Sequence, residues 1–253
     1  MQILTVCRWR SISPDHMGSI FRFKQFQVDQ QGCAMKINTD GVLLGATVTH
    51  PQPVDILDIG TGTGVIAMML AQRFDQAKID AVEIDPSAAA TAGKNFLDSP
   101  FKDRTTIYPV PFEQFETDSL YDLIVSNPPY FVNDLKNPEK RKEIARHTHE
   151  DFFDLLLRKA VKLLKDTGAL WLILPVKQAE KVIVNAVLHK LYPSKVIHIY
   201  SDRDKTAFRQ IICLDFAGHR PLPEEHIYIY AAEGVYTDQY KELLRGFFLA
   251  FLI

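Results

Sequence analysis

Cysteine is scarce in this chain, and its three copies, Cys7, Cys33 and Cys213, are odd in number and far apart. No C-x-x-C spacing joins them. That argues against a disulfide framework and a zinc site, and fits a reducing cytoplasm. No apolar run approaches the roughly 18 residues of a membrane-spanning helix. An excess of positive charge is missing too. With a formal net charge of −2, nucleic acid can be held only by a local patch. Internal repeats, low-complexity segments and a convincing linker are also lacking. What is present is an ordinary globular composition, 47% hydrophobic and 24% charged over 253 residues. That length supports one large α/β domain with a well-buried core, or at most two small ones.

Residues 1–20 are poorly patterned. The opening stretch contains Cys7-Arg8-Trp9-Arg10 but no continuous apolar core, so it does not read as a signal peptide. Met17, just before the first patterned segment, reads as an alternative start. Residues 21–253 read as a single domain. Phe21 to Val28 alternates aromatic and polar residues, the period of a half-buried strand. Thr39 or Asp40 is expected to cap a short helix beginning near Gly41.

From Pro53 onward, strands and helices alternate. Strands are predicted over 54–59, 77–84, 105–110, 121–126 and 169–174, with two or three more at 196–200, 210–216 and 227–231. Helices are predicted over 65–74, from the Asp85-Pro86 start to about 97, and over 178–191. A long amphipathic helix opens near His149-Glu150-Asp151 and should end at Gly168. In the tail, Tyr240, Leu243, Leu244, Phe247 and Phe251 fall on one helical face. The alternation predicts an α/β fold with a doubly wound, mainly parallel, seven-stranded sheet and a short N-terminal extension.

Three stretches carry chemistry. Asp58-Ile59-Gly60-Thr61-Gly62-Thr63-Gly64 follows a strand and opens a helix, the context of a glycine-rich nucleotide loop. Its spacing is not the G-x-G-x-x-G of a typical NAD site, and a tight packing turn would look similar. Asp58 favours a cationic or amine-bearing ligand over a pyrophosphate. Glu83, ending the second strand, can accept both hydroxyls of a ribose; it could also cap the next helix, although Asp85 is better placed for that. Asp122-Leu123-Ile124-Val125-Ser126-Asn127-Pro128-Pro129-Tyr130 is a buried strand stopped by two prolines that cannot donate ladder hydrogen bonds. There Asn127 Oδ1 and the Pro128 carbonyl can accept both protons of an exocyclic amine, while Tyr130 stacks on its ring. An ordinary strand-ending turn has the same local composition.

Together these motifs resemble a class I S-adenosylmethionine-dependent methyltransferase, and Asn127-Pro128-Pro129-Tyr130 resembles the amino-group methyltransferase signature. The chain is further similar to the bacterial tRNA(Val) adenine-37 N6-methyltransferase family. Carrying that likeness are Phe23-Lys24-Gln25-Phe26, Cys33-Ala34-Met35-Lys36, Thr39-Asp40-Gly41-Val42-Leu43-Leu44-Gly45-Ala46, Ile66 to Arg73, Ala81-Val82-Glu83, Arg141 with Ala145-Arg146, and an expected closing aromatic helix, Tyr236 to Phe251. The likeness extends from about Phe21 to the C-terminus.

The resemblance implies that Gly60, Thr61, Gly62 and Gly64 carry the methionine part of S-adenosylmethionine, with Asp58 and Asp40 nearby, and that Glu83 holds its ribose. It implies a catalytic set of Asn127, Pro128 and Tyr130 around the target adenine. The third strand commonly ends in an Asp-hydrophobe pair that reads the cofactor adenine. Here that pair is Pro111-Phe112, so Phe112 can pack on the ring but Pro111 offers no carboxylate.

Residues 140–147 bring Lys140, Arg141, Lys142 and Arg146 against a single acid, Glu143, for a formal charge of +3. A solvated loop is the common fate of such a run, but its place after the catalytic turn favours contact with the tRNA anticodon stem-loop. Lys24, Lys36, Arg203, Lys205 and Arg209 are weaker RNA-binding candidates. His147 and His149 lack a third partner for a metal, and no metal is expected. Three other readings stay open: methylation of a release-factor glutamine amide, methylation of DNA adenine, and a non-catalytic RNA-binding module. An N-terminal helical bundle, expected for the first, and a separate target-recognition domain, expected for the second, are not apparent.

Overall fold

Alternating side chains along each central strand divide the apolar residues between two faces, and that division organises the protein. In the computed structural model, residues 19–33, 36–128, 152–218 and 221–251 are described. A hairpin of β1 (Ile20–Arg22) and β2 (Gln27–Asp29) comes first. The chain then alternates through α1 (Thr39–Thr47), β3 (Asp55–Ile59), α2 (Val65–Arg73), β4 (Lys78–Val82), α3 (Pro86–Leu97) and β5 (Thr105–Tyr108). Next come β6 (Tyr121–Ser126), a helix α4 over residues 152–163, β7 (Leu164–Leu174), α5 (Val176–Leu188), β8 (Tyr192–Tyr200) and β9 (Arg209–Asp215). The described chain closes with β10 (Glu224–Tyr228), the small hairpin β11 (Tyr230–Ala232) and β12 (Val235–Tyr236), and α6 (Asp238–Leu244).

The main sheet has eight strands in the order β10-β8-β9-β7-β6-β3-β4-β5. All its pairings are parallel except those of β9 with β7 and β8. The sheet has eight strands rather than the seven expected, because β10, which overlaps the strand expected over 227–231, pairs with β8 at the outer edge. Leu123 and Val125 of β6 join one apolar cluster with α1, α2, α3 and α6, whereas Ile124 joins the other with α4 and α5. Along β7 the alternation repeats: Trp171 and Ile173 face the first cluster, Leu170 and Leu172 the second. Burial on both faces explains why the central strands read as continuous apolar runs. Among the described residues, no helix is long and apolar enough to cross a membrane.

Three local expectations are corrected. Asn38, not Thr39 or Asp40, caps α1: its extended backbone precedes the helix and its side chain accepts from Gly41 N at 2.9 Å. Gly168 does not end α4, because β7 has already begun at Leu164. A Cβ on Gly168 would lie 2.7 Å from the Tyr121 carbonyl oxygen. The glycine therefore permits a close strand approach where the β6–β7 register shifts. The tail does not form one long helix. α6 stops at Leu244, and the chain turns so that Phe248 bridges Phe23 of the N-terminal segment. Lys24 N and Nζ bond the carbonyls of Phe247 and Arg245, which fixes that turn.

Candidate active site

β3 is the switch point of the sheet. The chain leaves it outward through β4 and β5, then returns to its other side as β6. Open parallel sheets bind ligands beyond the carboxyl ends of the strands at such a point. The glycine loop, Glu83 and Asn127 follow β3, β4 and β6 respectively, so three adjacent strands deliver them to one edge.

The loop is held from beneath. Gly60 N and Thr61 N both donate to the Val82 carbonyl at the end of β4, at 2.8 and 3.1 Å. Gly60, Gly62 and Gly64 all have positive φ, a region costly for other residues. Their surroundings differ. A Cβ on Gly60 or Gly62 would meet nothing within 4 Å, whereas one on Gly64 would lie 2.5 Å from a ring carbon of Phe96. Gly64 is thus required by core packing and the start of α2, while Gly60 and Gly62 leave open space beside the backbone.

Asp58 is fully buried below this loop. Its Oδ2 accepts from Thr61 Oγ1 at 2.6 Å and from Ala67 N, in the first turn of α2, at 3.2 Å. The carboxyl therefore braces both ends of the glycine turn, and one of the orphan amides of the α2 N-terminus is satisfied by it. Burial pushes its pKa up to about 7, against the lowering effect of those two hydrogen bonds, with the nearby Glu83 charge adding to the rise.

Glu83 is 8% exposed, and both carboxylate oxygens are fixed by backbone donors. Oε2 accepts from Gly62 N at 2.8 Å and Oε1 from Asp85 N at 2.9 Å. Helix capping falls to Asp85, which accepts from Ala88 N at 2.8 Å. Each Glu83 oxygen retains a lone pair directed elsewhere, the geometry needed to hold a diol. Between Glu83 and Asp85 stands Ile84, 64% exposed, which the sequence reading passed over. Its signal was an isoleucine set between two acids on a strand-to-helix turn.

Asp40, 8% exposed, forms an ion pair with Arg209 at 2.7 Å. Arg209, expected among the weaker RNA contacts, is engaged in this pairing, and Lys24 is engaged with the Arg245 carbonyl. Phe112 is buried in the second cluster, where Lys159 Nζ lies 4.9 Å from its ring centroid and donates to its carbonyl at 2.7 Å. One face of that ring is thereby occupied. Ser126 Oγ donates to the Ile59 carbonyl at 2.8 Å, locking the end of β6 to β3. Asn127 follows at once, its Nδ2 3.4 Å from Asn38 Oδ1, and Pro128 is buried. Tyr130, Lys140, Arg141, Lys142, Arg146, His147 and His149 lie outside the described residues.

Comparison with known proteins shows the family. The family model described as "Methyltransferase small domain" matches residues 33–196. A Pedobacter heparinus protein named tRNA1(Val) (adenine(37)-N6)-methyltransferase is 55% identical over 235 residues, covering 93% of this chain and all of that one. A Dyadobacter fermentans protein of the same name is 39% identical over 91% of this chain and 98% of its own. Among solved structures, a predicted O-methyltransferase from Agrobacterium tumefaciens superposes with a TM-score of 0.65. It is 19% identical and covers 82% of this chain and 96% of that one, a likeness of fold alone. The chain belongs to the tRNA1(Val) (adenine(37)-N6)-methyltransferase family of class I methyltransferases.

Proposed function

We propose that this protein methylates the exocyclic N6 of adenine 37 in the anticodon loop of tRNA(Val), using S-adenosylmethionine. The observation that carries the reading is the delivery of Glu83, the glycine loop and Asn127 to one edge by adjacent parallel strands. The relatives' shared name supports the choice of substrate. The same reading puts the protein in the cytoplasm with its tRNA.

The residues present fit the cofactor. Open space beside Gly60 and Gly62 admits a ligand against the backbone, and the preset Glu83 carboxylate suits a ribose. Ile84 supplies an exposed apolar surface beside that ribose position for an adenine ring. When bound, S-adenosylmethionine supplies an electrophilic methyl group on a sulfonium. Asp58, fully buried, acts by holding the loop rather than by contact.

The target nitrogen is a poor nucleophile because its lone pair is delocalised into the adenine ring. Asn127 Oδ1 and the Pro128 carbonyl, accepting its two protons, localise that lone pair toward the methyl donor. The rate gain is one of positioning and electrostatics. No strong base is needed, because the proton leaves after the nitrogen has become cationic. Tyr130 stacks on the base once it has left the anticodon-loop stack. Lys140, Arg141, Lys142 and Arg146 neutralise phosphates around it.

Incubating the protein with labelled S-adenosylmethionine and unmodified tRNA(Val), followed by nucleoside mass spectrometry, tests the reading. N6-methyladenosine at position 37 is the expected product. Label in a release-factor glutamine instead would overturn it.

A further inference from the structure

We infer that Asn38 orients the side-chain amide of Asn127, so that Asn127 presents a carbonyl oxygen rather than an NH2 to the amine it recognises. The inference rests on the adenine-N6 reading for its consequence in catalysis, but not for the orientation itself.

The argument begins at a donor that cannot be reversed. The backbone N–H of Gly41 can only donate, and it lies 2.9 Å from Asn38 Oδ1 in the N-cap of α1. That contact fixes which end of the Asn38 amide is oxygen. The same oxygen lies 3.4 Å from the Asn127 amide. Two amide oxygens placed together would repel, so the atom of Asn127 facing Asn38 is Nδ2. Its oxygen consequently forms the opposite end of the amide. Asn38 is 89 positions earlier in the chain, yet the packing of α1 in the apolar cluster on one face of the sheet brings its cap to the residue that follows β6.

Orientation matters because an asparagine amide is nearly symmetric in shape and opposite in hydrogen-bonding sense at its two ends. A half-turn about its last side-chain bond would aim two donors at the target amine, whose protons also need acceptors. The lone pair would then not be localised, and the amine would be held off. Asn38 acts through Asn127 and is therefore a positioning residue. It lies outside the family motif of strand-ending residues, at a helix cap whose usual role is structural.

Serine at position 38 separates the two roles. Serine caps helices as well as asparagine does, so the bond from Gly41 N survives. Its oxygen is drawn back by about one bond length, however, and a contact already at 3.4 Å is then lost. Aspartate keeps both acceptor contacts.

Two measurements test this on the full chain. In protein labelled with nitrogen-15 asparagine, the side-chain NH2 signal assigned by its loss in Asn127→Ala reports solvent exchange directly. Exchange should quicken about tenfold in Asn38→Ser and stay near the parent value in Asn38→Asp. In single turnover with saturating tRNA and S-adenosylmethionine, Asn38→Ser should lose about tenfold or more in rate. Its melting temperature and cofactor affinity should remain close to the parent, and Asn38→Asp should be active within about threefold. Unchanged exchange in Asn38→Ser would overturn the orientation, whatever the substrate proves to be. Altered exchange with an unchanged rate would overturn its catalytic consequence. A parent protein that leaves tRNA unmethylated would count against the functional reading alone, since exchange still decides the orientation.

Discussion

Arg209 Nε donates to Asp40 Oδ2 across 2.7 Å, tying the first residue of β9 to the first turn of α1. The pair is largely screened from solvent, with side-chain exposures of 24% and 11%. It steadies the helix whose cap, Asn38, meets Asn127. Arg209→Ala should therefore act on stability, by about 1–3 kcal/mol for a partly buried pair, and lower the melting temperature by several degrees. The salt dependence of tRNA binding should stay as in the parent. A flattened salt slope with an unchanged melting temperature would return Arg209 to the RNA-contacting set.

Asn127→Ala removes the acceptor proposed for the target amine and leaves the backbone bonds of the glycine loop to Glu83 and Val82 in place. Methyl transfer should fall below detection while cofactor affinity stays within a few-fold. Calorimetric titration with S-adenosylmethionine and a tRNA methylation assay check the two halves separately. Turnover retained in the variant would remove Asn127 from the catalytic role.

Glu83→Gln is a demanding test because it preserves shape. Both oxygens of Glu83 accept from backbone N–H groups, so a glutamine must turn its NH2 toward one of those donors. Either Gly62 or the Asp85 turn then loses its anchor, and one of the two acceptors proposed for the ribose becomes a donor. Affinity for S-adenosylmethionine should fall about tenfold or more, the effect of roughly 1.4 kcal/mol. An unchanged dissociation constant would mean that Glu83 only stabilises the turn.

The proposed catalytic edge was legible because its residues are locally distinctive. Glycines needing positive φ, an acid ending a strand, and an asparagine stopped by prolines stand out against buried apolar strands. What escaped was decided by partners distant in sequence. Asn38, Thr39 and Asp40 are all good caps, and only the three-dimensional path of the chain selects Asn38. Gly168 after an amphipathic run looks like a helix stop, yet the Tyr121 carbonyl beside it is what requires glycine there. The tail has a helical apolar period, but the pull of Phe23 on Phe248 ends the helix early. The Asp58 motif does not reveal that the side chain lies under the loop, where it braces the glycine turn.

The basic run at 140–147 can be tested by charge alone. Exchanging Arg141 and Arg146 together for alanine removes two cations and should weaken tRNA binding across all tRNA sequences. The log–log salt slope should become shallower by about one to two units if both meet phosphates. A slope identical to the parent would assign the run to bulk solvent.

Asp58 gives the protein a predictable pH dependence. An unfolded chain releases the Asp58 proton near pH 3.9, whereas the folded protein holds it up to about 7, chiefly because burial disfavours the charge. Between those values the folded state binds more protons than the unfolded one. Linkage then makes the contribution of this group fall as pH rises through that window and level off above it. An Asp58→Asn variant has no proton to release at this position, yet the amide oxygen can still accept from Thr61 and Ala67. Urea melts at pH 5 and pH 8 should accordingly show the variant gaining on the parent at the higher pH, by an amount on the order of 1 kcal/mol or more. A difference between variant and parent that is the same at both pH values would show that Asp58 ionises like an exposed carboxylate.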